Sequence, residues 1–141
     1  MNKLKVKLLH EDAVIPNRAN PKDSGADLYA TEDITIPPHS TVLVPTGVSI
    51  YLEEGYEAQV RPKSGISAKT PKRVVIGTVD TIYHQEVKVI VDNISDKHQF
   101  IEKGKKIAQL VVAPVVYPEI EVVDKFENES SRGGFGSTGL N

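Results

Sequence analysis

The sequence predicts an all-β domain. Three observations carry that expectation: apolar residues alternating with polar ones in several short runs, turn chemistry between the runs, and only one short helical pattern. Leu4, Val6 and Leu8 alternate with Lys3, Lys5 and Lys7, and Val87, Val89 and Val91 interleave with Lys88, Ile90 and Asp92. Successive strand side chains point to opposite faces, so such alternation puts one face in a core and the other in water.

In chain order, shorter runs at residues 34–36, 41–44, 48–51, 58–60 and 74–76 extend the pattern, with many β-branched residues. Pro37-Pro38, Glu54-Gly55 and Lys103-Gly104 supply turns between runs. One helical turn is expected at residues 66–69, after Ser64-Gly65. Residues 107–116, interrupted by Pro114, read as strands buried on both faces. Many short strands at regular spacing point to a sandwich or barrel. Two segments follow from composition: a β domain over residues 1–123, and a polar, then glycine-rich, C-terminal arm over residues 124–141.

At 141 residues the chain is large enough for one well-packed core. Cysteine is absent, which removes disulfides, thiolate metal sites and cysteine nucleophiles, and suits a reducing cytoplasm. Seventeen basic against nineteen acidic residues give a net charge of −2, which argues against a nucleic-acid-binding surface but permits a small basic pocket. The N-terminal residues have no apolar stretch suited to a signal peptide, and no later run could span a bilayer, so no membrane partner is expected. The sequons at Asn93-Ile94-Ser95 and Asn128-Glu129-Ser130 therefore read as incidental.

Familiar motifs mostly fail. Gly134-Phe135-Gly136-Ser137-Thr138-Gly139 matches a dinucleotide fingerprint, but that motif must open a helix and be answered about 20 residues later by an acid. Only Leu140 and Asn141 follow. His84-Gln85-Glu86 resembles a zinc-deaminase element, whose remaining ligands are cysteines. His10, His39, His84 and His98 lack metal-ligand spacing.

What remains are polar islands between apolar strands. Ser24-Gly25-Ala26-Asp27 sets a carboxylate in what reads as a turn. Arg61-Pro62-Lys63-Ser64-Gly65 puts cations and a hydroxyl where a strand meets a helical turn, a setting that favours phosphate. Asp80 precedes Tyr83 by three residues, after Gly77. Gln109 interrupts an apolar strand. Arg132 and Phe135 are unusual in a solvated tail, offering a phosphate fork and a flat face for a base. Singly, each has a structural explanation. Together they supply phosphate donors, carboxylates for a metal and a water, and aromatic surfaces for a nucleoside.

The order of the islands, "SGADLYA", "RPKSGIS", "GTVDTIYHQE", "GKKIAQLVV" and "RGGFGSTG", resembles the five motifs of the homotrimeric dUTPases across nearly the whole chain. The resemblance implies a dUTPase-like β-clip or jelly roll with a flexible C-terminal arm, assembled as a homotrimer with active sites between subunits. Residues 107–116, more apolar than one small sandwich needs, fit that assembly. It implies hydrolysis of dUTP to dUMP and pyrophosphate, which limits uracil in DNA and supplies dUMP for thymidylate synthesis. By resemblance, Asp80 is the general base and Tyr83 lies under the deoxyribose, leaving no room for a 2′-hydroxyl. Lys63, Ser64, Gly65, Gly77 and Gln109 contact substrate. Asp27 reaches Mg²⁺ through water, the metal riding on the triphosphate. Arg132, Ser137 and Thr138 grip the γ-phosphate, Phe135 closes over the uracil, and Gly136 is a further substrate contact. Backbone groups in a hairpin around residues 74–77 would select uracil.

Three departures from the family pattern stand out. Lys63 takes the place of an arginine, so a forked contact becomes a point charge. Ile82, His84 and Gln85 replace an acidic residue, an arginine and a turn glycine around Tyr83. Residues 70–73 form an unusual loop. The rival reading is a dUTPase-fold interaction protein that uses the nucleotide pocket as a regulatory switch; the retained Asp80 and the complete tail favour catalysis.

Overall fold

The computed structural model describes residues 1–136. Eleven strands are present among them: β1 Lys5–Leu8, β2 Ala26–Tyr29, β3 Ile34–Ile36, β4 Thr41–Pro45, β5 Val48–Tyr51, β6 Tyr56–Arg61, β7 Lys72–Val75, β8 Gly77–Val79, β9 Lys88–Asn93, β10 Gln99–Ile101 and β11 Lys106–Pro114. The one helix described, α1, spans Ser64–Lys69. No helix among these residues is long and apolar enough to cross a membrane.

The strands form four antiparallel sheets, ordered β2-β11-β6-β8, β4-β9-β7, β1-β5 and β10-β3. Alternation works as expected in β9, where Val89, Val91 and Asn93 are buried. Ala58 and Val60 of β6 do the same. The inward residues of the sheets converge on one core that includes Leu28, Ile36, Val44, Val48, Val89 and Leu110. Burying each large aliphatic side chain contributes roughly 1.5–3 kcal/mol.

Asn93 is the polar hub of this core. Its Nδ2 donates toward the carbonyls of Ile36, Pro37 and Lys97, and its Oδ1 accepts from Ser95. The amide is 2% exposed and fully engaged, so this sequon is structural.

Helix α1 ends for a local reason. Thr70 precedes Pro71, which disfavours a helical backbone, and Thr70 is extended (φ −136°, ψ 160°). Its hydroxyl donates to the Ile66 carbonyl and accepts from the Lys72 amide, easing the exit into β7. The expected loop at residues 70–73 is thus half strand.

Three further expectations are corrected. Asp27 lies within β2, where pairing to β11 and a bridge to Asn17 override the turn preference of its flanking residues. Residues 107–116 form no second strand after Pro114: β11 ends there, the Val115 amide donates to the Gly55 carbonyl, and Val116 is 82% exposed. Residues 74–77 are not a hairpin, because β7 pairs with β9 while β8 pairs with β6. The chain there crosses from one sheet to another at Ile76.

Beyond Val115 every described residue is exposed, and no regular element occurs among residues 115–136.

Candidate active site

Three of the sequence islands meet at one end of the four-stranded sheet. Gln109 of β11 stands opposite Asp27 of β2 and opposite Arg61 of β6. Directly opposed residues share a sheet face, so the three form one row. Lys63, two residues past Arg61, reaches back over the row and places Nζ 2.5 Å from Asp27 Oδ1. Lys106 Nζ lies 3.3 Å from Asp27 Oδ2. The register shift between Lys106 and Ala108 sets Lys106 opposite Tyr29; such bulges re-aim side chains, and this one brings a second cation to the carboxylate.

The Asp27 side chain is only 6% exposed. Burial opposes its ionisation, but the Lys63 and Lys106 ammonium groups outweigh burial and hold its carboxyl below the usual carboxylate range. Asp27 is thus a buried anion with a lysine on each oxygen. No group of three or more His, Asp or Glu among the described residues could hold a metal ion. The two ammonium groups leave surplus positive charge around Asp27, which suits an anionic ligand.

Gln109 is fixed as tightly. Its Nε2 donates to the Pro62 carbonyl at 2.9 Å, tying β11 to the turn that leads into Ser64-Gly65. Behind it lies Gly25, where an added Cβ would stand 2.2 Å from Gln109 Oε1 and 2.8 Å from its Cβ. Only glycine fits there. Gly65 contrasts with it: nothing lies within 4 Å of an added Cβ, so the fold leaves open space above that backbone. Ser64 is likewise exposed. Gly77 has only ordinary contact with Val60, at 3.7 Å and beyond.

Asp80 and Tyr83 lie elsewhere. The Tyr83 amide donates to the Asp80 carbonyl at 3.0 Å, closing a turn after β8, and the Tyr83 hydroxyl donates to the Glu86 carbonyl at 2.7 Å. Both side chains are exposed. Val79 pairs with Ala58, which leaves Asp80 level with Glu57 and four residues from Arg61 along the strands. Four residues at ~3.3 Å and three strand spacings of ~4.8 Å put Asp80 and Asp27 on the order of 20 Å apart. One chain therefore does not bring Asp80 to its own Asp27–Gln109 row. Arg132, Phe135 and Gly136 are exposed and distant in sequence from both; Phe135 and Gly136 form a turn with φ of 51° and 86°. Ser137 and Thr138 lie outside the described residues.

Thus the structure gathers Asp27, Lys63 and Gln109, with Ser64 and Gly65 at the adjoining start of α1, and separates them from Asp80 and Tyr83. Sequence reasoning missed Lys106 and Gly25. The signal for Gly25 was its place in "SGADLYA"; Lys106 had none, because a bulge cannot be read from residue types.

The dUTPase family model matches residues 11–139. The chain belongs to the dUTPase family. It is 47% identical to the deoxyuridine 5'-triphosphate nucleotidohydrolase of Hydrogenobaculum sp. over 98% of this chain and 99% of that one. Identity to the Clostridium tetani protein of the same name is 46%, over 96% of each chain. Among solved structures, a mutant of the Staphylococcus bacteriophage 80alpha dUTPase with dUpNHpp superposes with a TM-score of 0.93 at 30% identity, covering 99% of this chain and all of that one. The dUTPase of phage phi11 of S. aureus, a structure describing coordination of a structural Mg(II) ion, gives a TM-score of 0.85 at 27% identity, covering 90% of this chain and all of that one. The fold is accordingly the jelly-roll β-clip of dUTPases.

Proposed function

We propose that this dUTPase hydrolyses dUTP to dUMP and pyrophosphate at sites completed between copies of the chain. The observation that carries the composite site is the separation of Asp80 from the Asp27–Gln109 row. A base must stand within hydrogen-bond reach of the water it activates, directly or through one water. A second copy supplying its own Asp80 satisfies that requirement.

Each group then has a physical task. The open backbone at Ser64-Gly65, next to the Lys63 and Lys106 ammonium groups, receives the phosphates. Gln109 sets the position of that turn through Pro62. Asp80 takes a proton from the water that attacks the α-phosphorus, while held phosphates give an in-line approach. Tyr83 packs against the deoxyribose. The arm brings Arg132, Ser137 and Thr138 to the γ-phosphate and lays Phe135 over the uracil, with Gly136 beside it as a further substrate contact, which excludes bulk water. Asp27 is the residue that would meet a triphosphate-bound magnesium through water, and the metal would supply charge neutralisation there.

Exposed apolar surface supports a homotrimer. Leu43, Ile90 and Val75 form a row across β4-β9-β7; Leu43 is 58% exposed and Val75 39%. In the segment after β11, Ile120 and Val122 are 86% and 93% exposed and alternate with Glu119 and Glu121, a strand pattern in want of a partner. The apolar residues Ile107, Ala108, Leu110 and Val111, in contrast, are already used inside the chain. The absence of cysteine fits a reducing cytoplasm as the setting.

The test is product analysis. The protein with Mg²⁺ is incubated with dUTP, dCTP, dTTP and UTP, and pyrophosphate, ammonia and inorganic phosphate are measured. Pyrophosphate from dUTP, with little from the others, is expected. Ammonia from dCTP, or inorganic phosphate as first product, would overturn the reading.

A further inference from the structure

We infer that Tyr51 and His84 act as a stacked pair that positions Tyr83 for sugar selection, an inference resting on the assignment of Tyr83 to the deoxyribose. The loop over residues 80–87 runs back along β5, and its ends are tied to that strand and to the residues flanking it. Thr81 Oγ1 donates to the Leu52 carbonyl at 3.0 Å. At the far end the Val87 amide donates to the Val48 carbonyl at 2.8 Å, and the Gly47 amide donates to Glu86 Oε2 at 2.9 Å.

Between these ties, Ile82 is 83% exposed and Gln85 is exposed, so neither anchors the loop by burial. His84 does something different. Its ring stacks on Tyr51, with centroids 5.1 Å apart and planes 8° from parallel. Tyr51 is set by strand register opposite Lys5, whose Nζ lies 5.9 Å from the ring centroid. The stack therefore joins a fixed two-stranded sheet to the residue next to Tyr83. Tyr83 is also held by its hydroxyl on the Glu86 carbonyl. Two flat faces in contact fix the loop laterally, which the hydrogen bonds at its ends do not.

A ring that excludes a 2′-hydroxyl by bulk must be held in place, since a shift of about 1 Å would admit the extra oxygen. Removing the stack should therefore loosen discrimination more than turnover. The variants are His84→Ala, Tyr51→Ala, Tyr51→Phe and His84→Phe, with Tyr83→Ala as reference. Two quantities are read: the ratio of kcat/KM for dUTP to that for UTP, and amide exchange across residues 80–86 of the ligand-free protein.

His84→Ala and Tyr51→Ala should lower the ratio about 3–10-fold, the scale of one aromatic contact, and speed exchange in the loop while core strands keep their protection. Tyr51→Phe and His84→Phe, which keep two flat faces, should stay within about twofold of the native ratio on the same scale. Unchanged exchange in both alanine variants would overturn the proposal. So would faster exchange with an unchanged ratio, provided Tyr83→Ala lowers it. If Tyr83→Ala leaves the ratio intact, the sugar assignment of Tyr83 is what fails, and the exchange result alone decides whether the stack holds the loop.

Discussion

Lys63 Nζ and Asp27 Oδ1 are 2.5 Å apart, joining a residue of β2 to the turn after β6 across the width of β11. Where the family resemblance leads one to expect a forked arginine, a lysine makes a single contact, and Lys106 takes the second carboxylate oxygen. One buried carboxylate thus clamps three sequence-distant segments.

Asp27→Asn should destabilise the fold by about 2 kcal/mol at neutral pH, the scale of charge-assisted hydrogen bonds lost from a buried site. Because the folded-state carboxyl is depressed, its contribution is fully present above the ordinary carboxylate range and disappears as pH falls through the folded value. Urea denaturation from pH 7 to pH 3 should show the native protein losing more stability than the variant on the acid side. Parallel curves would mean that the lysines do not stabilise the ionised form.

Gly25→Ala should be disproportionately harmful for one methyl group. The new Cβ would collide with Gln109, including its own Cβ, so the strand as well as the amide must shift. Overpacking of this kind costs about 1–3 kcal/mol. Thermal unfolding should show the loss, and KM for dUTP should rise as Gln109 leaves the Pro62 carbonyl. Gly65→Ala, with open space around it, should leave the melting temperature unchanged.

Asp80→Asn should separate stability from catalysis. The side chain is exposed, so unfolding should be unaffected, while turnover falls at least about 10²-fold, as for loss of a general base. Equilibrium binding of dUpNHpp should persist. Nearly native turnover would assign water activation to another group.

Ending the chain at Asn128 should leave the melting temperature unchanged, since the described residues beyond it are exposed and contribute nothing to the core. Turnover should nonetheless be almost abolished, because Arg132 and Phe135 are removed. A non-hydrolysable dUTP analogue with Mg²⁺ should protect the full-length arm from protease far more than dUMP does, if the γ-phosphate offsets the entropy of ordering it. Equal protection by both would assign closure to other contacts, and full activity after truncation would remove the arm from the site.

The residue pattern by itself determined that this chain is all β. Alternation in β9 reports burial directly, because strand geometry converts a period of two into two faces, whereas in β1 Val6 is half-buried and Leu8 is exposed. Five ordered motifs marked the residues on which the proposed chemistry rests, and Gln109 stood out as a lone polar group in an apolar strand. Tertiary pairing decided the rest. Asp27 looked like a turn residue because local preference is weak against the hydrogen bonds of a flanking strand and a bridge. Residues 74–77 looked like a hairpin because sequence proximity does not say which sheet each strand joins. Lys106 reached Asp27 through a bulge, and His84 met Tyr51 because the loop runs back along β5. These are contacts between residues far apart in sequence, fixed by packing and register, and no local pattern encodes them.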